Sequence, residues 1–126
     1  KEEFSLIRNA KFKINAHGFV RNNEHIFPNF HILVHPSFIE GSAKCIYEGL
    51  SFGLPVICTK QSGSIVKHGY NGYIVEAGNS KKLNQYLLKL ISNKSLVKEM
   101  GKNSKILSSK YTWEIYANKV SEIYIK

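Results

Sequence analysis

Two glutamates separated by seven residues mark the part of the chain whose residue types and spacing could do chemistry. Glu40 and Glu48 lie between two short apolar runs, at residues 32–34 and 55–58. The first run ends at a Pro-Ser corner, and Gly41 follows the first glutamate, ahead of residues that could begin a helix. This order predicts a site at the carboxyl end of a strand, which is where open α/β sheets bind their ligands.

A helix that begins near Ser42 would turn several unpaired amide hydrogens toward a ligand at its amino terminus. These amides belong to Ala43, Lys44 and Cys45. Because the amino terminus of a helix also carries partial positive charge, a diphosphate is a ligand that it favours. Gly41 has no side chain and keeps the approach open.

The two carboxylates would meet different parts of such a ligand. Glu48 lies about two turns along the helix, where it can accept hydrogen bonds from the hydroxyl groups of a ribose. Glu40 precedes the helix and would lie near the group attached beyond the diphosphate, where carboxylates orient a sugar or stabilise an oxocarbenium-like centre. The spacing alone leaves a second interpretation open, an acidic helix start with a solvated glutamate.

Further segments complete an ordered series that resembles the carboxyl-terminal, donor-binding half of the group 1 glycosyltransferases. These are retaining enzymes with two domains and the GT-B fold. The matching segments after the glutamate pair are the helix end and strand at 51–59, the loop at 62–64, the turn and strand at 69–75, and the helix start at 111–114. The resemblance extends from about residue 12 to the end of the chain.

The resemblance implies an enzyme that moves a sugar from a nucleotide-diphosphate-sugar donor to a saccharide or lipid-linked acceptor, in polysaccharide or glycoconjugate synthesis. It implies that Glu40 contacts the transferred sugar and that Glu48 binds the ribose. A segment after the first strand would border the nucleobase, with a plain strand-end turn as the alternative. The further donor-binding residues that the resemblance implies are Gly41, Ser42, Ala43, Lys44, Cys45, Ser62, Gly63, Gly18 and Val20.

Two departures from the family's pattern bear on these contacts. Residues 43–45 stand where the family usually has Phe-Gly-Leu or a similar trio, yet backbone amides carry the phosphate contact whatever the side chains are. Lys44 either adds a positive charge for the phosphate or is a solvated lysine in the first helical turn. The loop at 59–69 is shorter than the family's commonest form and lacks its usual glutamate, so we expect only the amides of Ser62 and Gly63 to contribute.

The types of acidic residue bear on metal binding. All nine are glutamates, so the chain has no Asp-x-Asp motif of the kind that holds Mn or Mg on the nucleotide diphosphate in other glycosyltransferases. Of the five histidines only His31 and His35 are four positions apart, and they fall in an expected strand, where that spacing does not bring two rings together as it does on a helix. His35, beside the site, is predicted to be a corner histidine bonded to backbone. We expect no metal and no cofactor, with the leaving-group charge met by amides and cations.

The net charge of +9 comes from 16 lysines and 2 arginines that are spread along the chain. Proteins that read nucleic acid usually cluster their cations and favour arginine, so we expect no nucleic-acid partner. A diffuse lysine surface also suits an anionic membrane, which makes peripheral association with a membrane-bound acceptor an open expectation. The alternative function is a Rossmann-like nucleotide- or nucleic-acid-binding module without catalysis.

The cysteines and the apolar segments indicate the compartment. Cys45 and Cys58 form no Cys-x-x-Cys pair and fit free thiols in a reducing environment. No apolar stretch approaches the length of a membrane helix. We therefore expect a cytoplasmic protein, located at the inner face of the membrane if peripheral association occurs.

The predicted fold class is α/β, with a Rossmann-like parallel sheet, flanking helices and three amphipathic helices at the end. Strands expected at residues 12–16, 31–35, 55–58 and 73–75 alternate with helices, and a length of 126 residues fits a single domain. A helix expected at 42–52 would stop at Gly53. After residue 80, apolar residues recur at helical spacing in three segments. The aromatic stripe of the last helix, at 113, 116 and 124, is predicted to pack into the core, with a surface for a partner as the alternative.

The start of the chain differs from the resembled domain. There, two strand-helix units precede a helix that corresponds to residues 1–9, and they supply cations for the donor diphosphate. With the strand order 3-2-1-4-5-6, those strands would lie between the ones expected at 12–16 and 31–35. We therefore expect an amino-terminally truncated domain that is inactive alone and is completed by a missing amino-terminal half or a partner chain.

Overall fold

Three parallel strands form the sheet in the computed structural model, which describes residues 11–125. They are β1 (Leu33–His35), β2 (Val56–Thr59) and β3 (Gly72–Val75), in that order across the sheet. Both pairs of neighbours are parallel, which confirms the predicted α/β sheet. The central strand, β2, is buried at every position, as expected for a parallel strand with helices on both faces.

One helix connects the first two strands and three follow the sheet. They are α1 (Lys44–Ser51), α2 (Ser80–Ile91), α3 (Lys94–Ser108) and α4 (Trp113–Tyr124). Each of the last three begins after a side chain that caps a free amide of the first turn, from Asn79, Asn93 and Thr112 respectively. The prediction of three terminal helices is confirmed, with boundaries set by these caps.

Alternate residues of β2 pack against helices on opposite sides of the sheet. Val56 and Cys58 belong to a cluster with Leu50 of α1. Ile57 belongs to a second cluster with Leu90 of α2. Because successive side chains of a strand point to opposite faces, α1 lies on one face of the sheet, and α2 lies on the other together with Met100 of α3.

The end of α1 is closed by a glycine in the left-handed conformation. Gly53 has φ 78°, and its N–H donates to the Leu50 carbonyl while the Leu54 N–H donates to the Gly49 carbonyl, both at 3.0 Å. These two bonds form a Schellman motif, which confirms the predicted helix stop. The Gly53 carbonyl lies so close to Gly101 of α3 that a Cβ there would overlap it. The two helices therefore pack backbone against backbone.

The strand expected at residues 12–16 is absent from the described part of the chain. The segment has no regular secondary structure, and Phe12 exposes 73% of its surface. Apolar and polar residues alternate there as in a strand, but a strand is stable only beside a partner that accepts its hydrogen bonds. The prediction of this strand was wrong. The predicted strand order that included it therefore has no counterpart in the sheet of the described residues. The helix predicted at residues 1–9 lies outside the described residues.

The aromatic side chains of α4 do not pack into the core. Trp113, Tyr116 and Tyr124 are all exposed, and the helix has no buried residue. Their spacing marks one helix face correctly, but periodicity cannot say whether another part of the same domain covers that face. The prediction of core packing was wrong for the described chain.

Candidate functional site

The turn that carries Glu40 is attached to a second turn by two backbone hydrogen bonds. The Glu40 N–H donates to the Gln61 carbonyl at 3.1 Å, and the Ala43 N–H donates to the Ser62 carbonyl at 3.2 Å. The second turn is a 3₁₀ helix, Lys60–Ser62, that directly follows β2. Both turns lie at the carboxyl ends of parallel strands, which is where the sequence placed the site.

Ser62 and Gly63 support this turn, and neither of them presents a side chain to a ligand. Ser62 is fully buried, and its hydroxyl donates to the His35 carbonyl at 3.2 Å and lies 3.0 Å from the Thr59 hydroxyl. Gly63 has φ 57°, and a Cβ there would overlap the carbonyl of Gly41. The amide of Gly63 approaches the Lys60 carbonyl at 3.5 Å, so it is only weakly engaged.

The amino terminus of α1 presents a different set of free amides from the one expected. The helix begins at Lys44, because Ala43 has an extended backbone and its N–H is already paired with Ser62. The expectation that the Ala43 amide is unpaired was therefore wrong. Among residues 11–125, the amides of Ser42, Lys44 and Cys45 have no carbonyl partner. These three N–H groups are the ones left for an anion.

Glu48 is held by two groups from different parts of the chain. The Lys44 Nζ lies 3.1 Å from Oε1, one helical turn away, and the Asn23 Nδ2 donates to Oε2 at 2.9 Å. The Glu48 side chain is 29% exposed, whereas that of Lys44 is 72% exposed. An exposed lysine of this kind can exchange partners at small cost, since exposed ion pairs contribute little free energy.

Glu40 lies at the other end of the turn, beside the ring of His35. Its Oε1 is 3.3 Å from the Ser37 hydroxyl, which donates to it, and 3.5 Å from the His35 Nε2. The other ring nitrogen, Nδ1, is 3.5 Å from the Cys45 Sγ. The predicted role of His35 as a corner histidine whose ring bonds to backbone was wrong, because its ring faces these two side chains.

Burial raises the pKa of the Cys45 thiol, and the nearby carboxylates of Glu48 and Glu40 raise it further. Burial likewise raises the pKa of Cys58, whose sulfur lies 3.5 Å from the Ser64 hydroxyl. Both cysteines are free thiols. The Cys45 thiol therefore keeps its proton at neutral pH and can act as a hydrogen-bond donor.

A groove of about 780 Å³ opens beside α1. Glu48, Lys44 and Cys45 line one wall, and Val20 belongs to the opposite wall. Gly18 adopts φ 63° in an exposed turn just before this wall and does not line the groove itself. The remaining lining residues are Phe19, Arg21, Asn22, Asn23, Glu24, Ser51, Phe52 and Trp113.

Residues 11–125 contain neither a cluster of metal ligands nor a helix that could span a membrane. No group of three or more His, Cys, Asp or Glu side chains stands close enough to hold a metal ion. None of the helices described there has the length and apolar character needed to span a membrane.

Sequence reasoning missed two side-chain contacts that the structure shows at the site. Asn23 reaches Glu48 from a separate 3₁₀ turn, 25 residues earlier in the chain, and no spacing rule connects the two. The ring of His35 meets Glu40 across the Pro-Ser corner. A corner that reverses the chain brings residues on its two sides together, and this was the one sequence signal for that contact.

Comparisons with known proteins show the family and the fold of the chain. The family model of the group 1 glycosyl transferases matches residues 1–106. An uncharacterized glycosyltransferase of Methanocaldococcus jannaschii is 39% identical over 94 residues, which cover 73% of this chain and 27% of that protein.

Two solved structures show the same fold. TarM superposes with a TM-score of 0.81 at 20% identity, covering 95% of this chain and 25% of that one. HepE of Anabaena, determined in complex with UDP, superposes with a TM-score of 0.71 at 21% identity, covering 79% of this chain and 29% of that one. The chain thus spans about a quarter of the length of these proteins. On the extent of the family match, the chain belongs to the group 1 glycosyltransferases.

Proposed function

We propose that this chain is the donor-binding part of a glycosyltransferase that takes a sugar from a nucleotide-diphosphate-sugar donor. The observation that carries the proposal is the amino terminus of α1, where three amides without a carbonyl partner stand one to two turns from the carboxylate of Glu48. Free amides suit a diphosphate, and a carboxylate at that distance suits the hydroxyls of the attached ribose. The presence of UDP in the HepE structure supports this choice of ligand class.

In this proposal each donor-binding residue has a separate task. The amides of Ser42, Lys44 and Cys45 bind the diphosphate, and the amide of Gly63 adds a contact from the neighbouring turn. Gly41 leaves room for the ligand, while Ala43 and Ser62 act through the backbone bond that joins the two turns. The Lys44 ammonium, paired with Glu48 in the described structure, moves to the diphosphate when the donor binds and releases the carboxylate.

The wall of the groove opposite α1 is proposed to border the nucleobase. Val20 offers an apolar contact there, and Gly18 sets the course of the chain just before it. Asn23 holds Glu48 in place from the same side. A base that enters this groove would place its ribose at the carboxylate and its diphosphate at the helix terminus.

The chemistry is proposed to be retaining and metal-independent. The retaining course rests on the resemblance of the glutamate pair to that of the family, with Glu40 facing the transferred sugar. Metal independence rests on the lack of any aspartate in the sequence and on the free amides and the lysine that can meet the leaving-group charge. The diphosphate would then be neutralised by the protein itself.

Sugar transfer also requires a part of the enzyme that binds the acceptor, which is called the acceptor side below. We propose that this chain does not supply it. The acceptor, a saccharide or a lipid-linked saccharide, would be bound by the remainder of a larger enzyme or by a partner chain. We propose a cytoplasmic setting, with peripheral association with the membrane where the acceptor is lipid-linked. The complete enzyme in the experiments below is this chain together with that acceptor side.

The experiment that tests the proposal is a calorimetric titration of the complete enzyme with UDP-, GDP- and ADP-sugars in the presence of EDTA, beside a filter-binding assay with RNA. We expect saturable binding of one nucleotide sugar and no specific binding of RNA. Binding of RNA alone would support the non-catalytic module instead. Donor binding that disappears in EDTA and returns with Mn would contradict metal independence.

A further inference from the structure

The imidazole of His35 connects two parts of the donor site, and the roles proposed above leave it unused. Its Nδ1 faces the sulfur of Cys45, which belongs to the first turn of α1, and its Nε2 faces the carboxylate of Glu40, which precedes the helix. Both distances are 3.5 Å. This distance is normal for a contact with sulfur but long for a nitrogen-oxygen hydrogen bond.

The Nε2 atom is the unusual member of this arrangement. It is screened from solvent and, within residues 11–125, has no aligned hydrogen-bond partner. A buried N–H that loses its water without gaining a protein partner is unfavourable. The acceptor closest to it is Oε1 of Glu40, so a small movement of that carboxylate would satisfy both groups.

The proton positions follow from the donors available. The Cys45 thiol keeps its proton, so its S–H can donate to an unprotonated Nδ1 across this contact. In that arrangement a neutral imidazole carries its single hydrogen on Nε2, which is the nitrogen that faces Glu40. With Cys45 as the donor, His35 thus has the tautomer that donates toward the carboxylate.

We infer that His35 is a positioning residue that fixes the orientation of the Glu40 carboxylate for the transferred sugar, with Cys45 setting its tautomer. The inference rests on the function proposed above. In the described structure Oε1 is shared between the Ser37 hydroxyl and the ring, and both contacts are long. Contacts of this kind in enzymes without ligand commonly tighten when substrate binds. Pairing Oε1 with Nε2 leaves Oε2 to accept a hydrogen bond from a sugar hydroxyl.

The strand itself does not need the ring. The backbone of His35 is held by the pairing of β1 with β2, and its carbonyl accepts from Ser62. A substitution that keeps the backbone but changes the side chain should therefore leave the fold in place. This separation allows the positioning role to be tested without unfolding the site.

Two substitutions of His35 differ in which ring nitrogen they imitate. Glutamine can place an amide N–H near the position of Nε2, whereas asparagine is shorter and reaches only the position of Nδ1. In the complete enzyme, we expect H35N to lower kcat about tenfold, the effect of one hydrogen bond to a charged group, with the donor KM little changed. H35Q should recover most of that loss. The matched control is H31N, since His31 is exposed and precedes the same strand.

Equal losses in H35N and H35Q, or losses that appear only in the donor KM, would overturn the inference. Should H35N fail to fold, C45A and C45S test the same contact from its other end. Serine keeps a donor for Nδ1 and alanine does not, so C45A should lower kcat more than C45S does. Equal kcat values for these two variants would also overturn it.

A double-mutant cycle with E40Q separates this inference from the function on which it rests. If His35 acts through Glu40, H35N should add little once Glu40 has been replaced. An E40Q enzyme with unchanged kcat would remove the proposed role of Glu40 itself. An E40Q enzyme with lowered kcat, beside an H35N enzyme with normal kcat, would leave the proposed function intact and contradict only the role of His35.

Discussion

Glu40 and Glu48 belong to the same turn and helix, but their carboxylates have different kinds of neighbour. Around Glu40 the neighbours come from the chain near the sheet: the ring of His35 and the hydroxyl of Ser37 face its carboxylate, and its backbone N–H donates to the Gln61 carbonyl. Around Glu48, one partner is an exposed lysine of its own helix and the other is Asn23, in a 3₁₀ turn. The backbone that carries Glu40 is bonded to the neighbouring turn at the sheet end while its carboxylate makes only long contacts, and the Glu48 carboxylate is held by side chains that a ligand could replace.

This difference suits a division of tasks in which one carboxylate takes part in the reaction and the other binds the donor. A group that acts in the transition state gains from being held in advance, because no reorganisation is then needed during the reaction. A group that binds the ligand's ribose can exchange its resting partners for the ligand. The three predictions below test whether the contrast has consequences that can be measured.

The substitution with the largest expected effect is in the turn beneath Glu40. G63A would place a Cβ against the carbonyl of Gly41 and force alanine into a positive φ. We expect the free energy of unfolding to fall by about 2 to 5 kcal/mol, from overpacking together with the unfavourable backbone conformation. Equilibrium unfolding in urea measures this.

The control is G69A, because Gly69 has φ 80° but a Cβ there would meet nothing within 4 Å. It should cost only about 1 to 2 kcal/mol, from the backbone alone. Similar losses in the two variants would mean that the turn beneath Glu40 is not tightly packed, and the contrast with Glu48 would lose its basis.

E40Q addresses the carboxylate at the sheet end. If Glu40 contacts the reacting sugar, the complete enzyme should lose about 10- to 100-fold in kcat, since a charged acceptor is lost where charge develops. The Kd for the donor should change less than kcat does. Steady-state kinetics and donor titration of the same preparation measure both. A variant that changes only the Kd would reverse the two assignments.

E48Q should affect donor binding rather than turnover. Loss of the hydrogen bonds that the ribose hydroxyls are proposed to donate to the charged carboxylate is expected to weaken donor binding by about 1 to 3 kcal/mol, with kcat at saturating donor close to normal. Calorimetric titration gives the Kd. E99Q is the matched control, because Glu99 is an exposed glutamate of α3 away from the groove. Small and equal changes in E40Q and E48Q would remove the distinction between the two carboxylates.

Local sequence signals were enough to predict the parts of the fold that depend on short-range chemistry. The central strand, the glycine that ends α1 and the three terminal helices all follow from apolar periodicity, glycine conformation and capping side chains. The position of Glu40 and Glu48 at the carboxyl end of β1 follows from the same signals.

The rest depends on contacts between distant residues. The segment at 12–16 alternates like a strand but has no partner among the described residues, and the stripe on α4 is apolar but exposed. The Ala43 amide is taken by Ser62, 19 positions later in the chain. Composition and spacing do not reveal whether a strand edge, a helix face or an amide finds a partner. The side-chain contacts of His35 and Asn23 were missed for the same reason.

The wall of the groove formed by residues 19–24 has an evolutionary consequence. Phe19 is 92% exposed, and Asn23 is the residue of this segment whose side chain bonds to α1. Replacing exposed residues of such a segment changes the free energy of folding very little. The surface that we propose to border the nucleobase can thus diversify by mutation while the sheet and the two glutamates stay as they are. Selection for a new donor would act first on this wall, and engineering of donor preference has the same starting point.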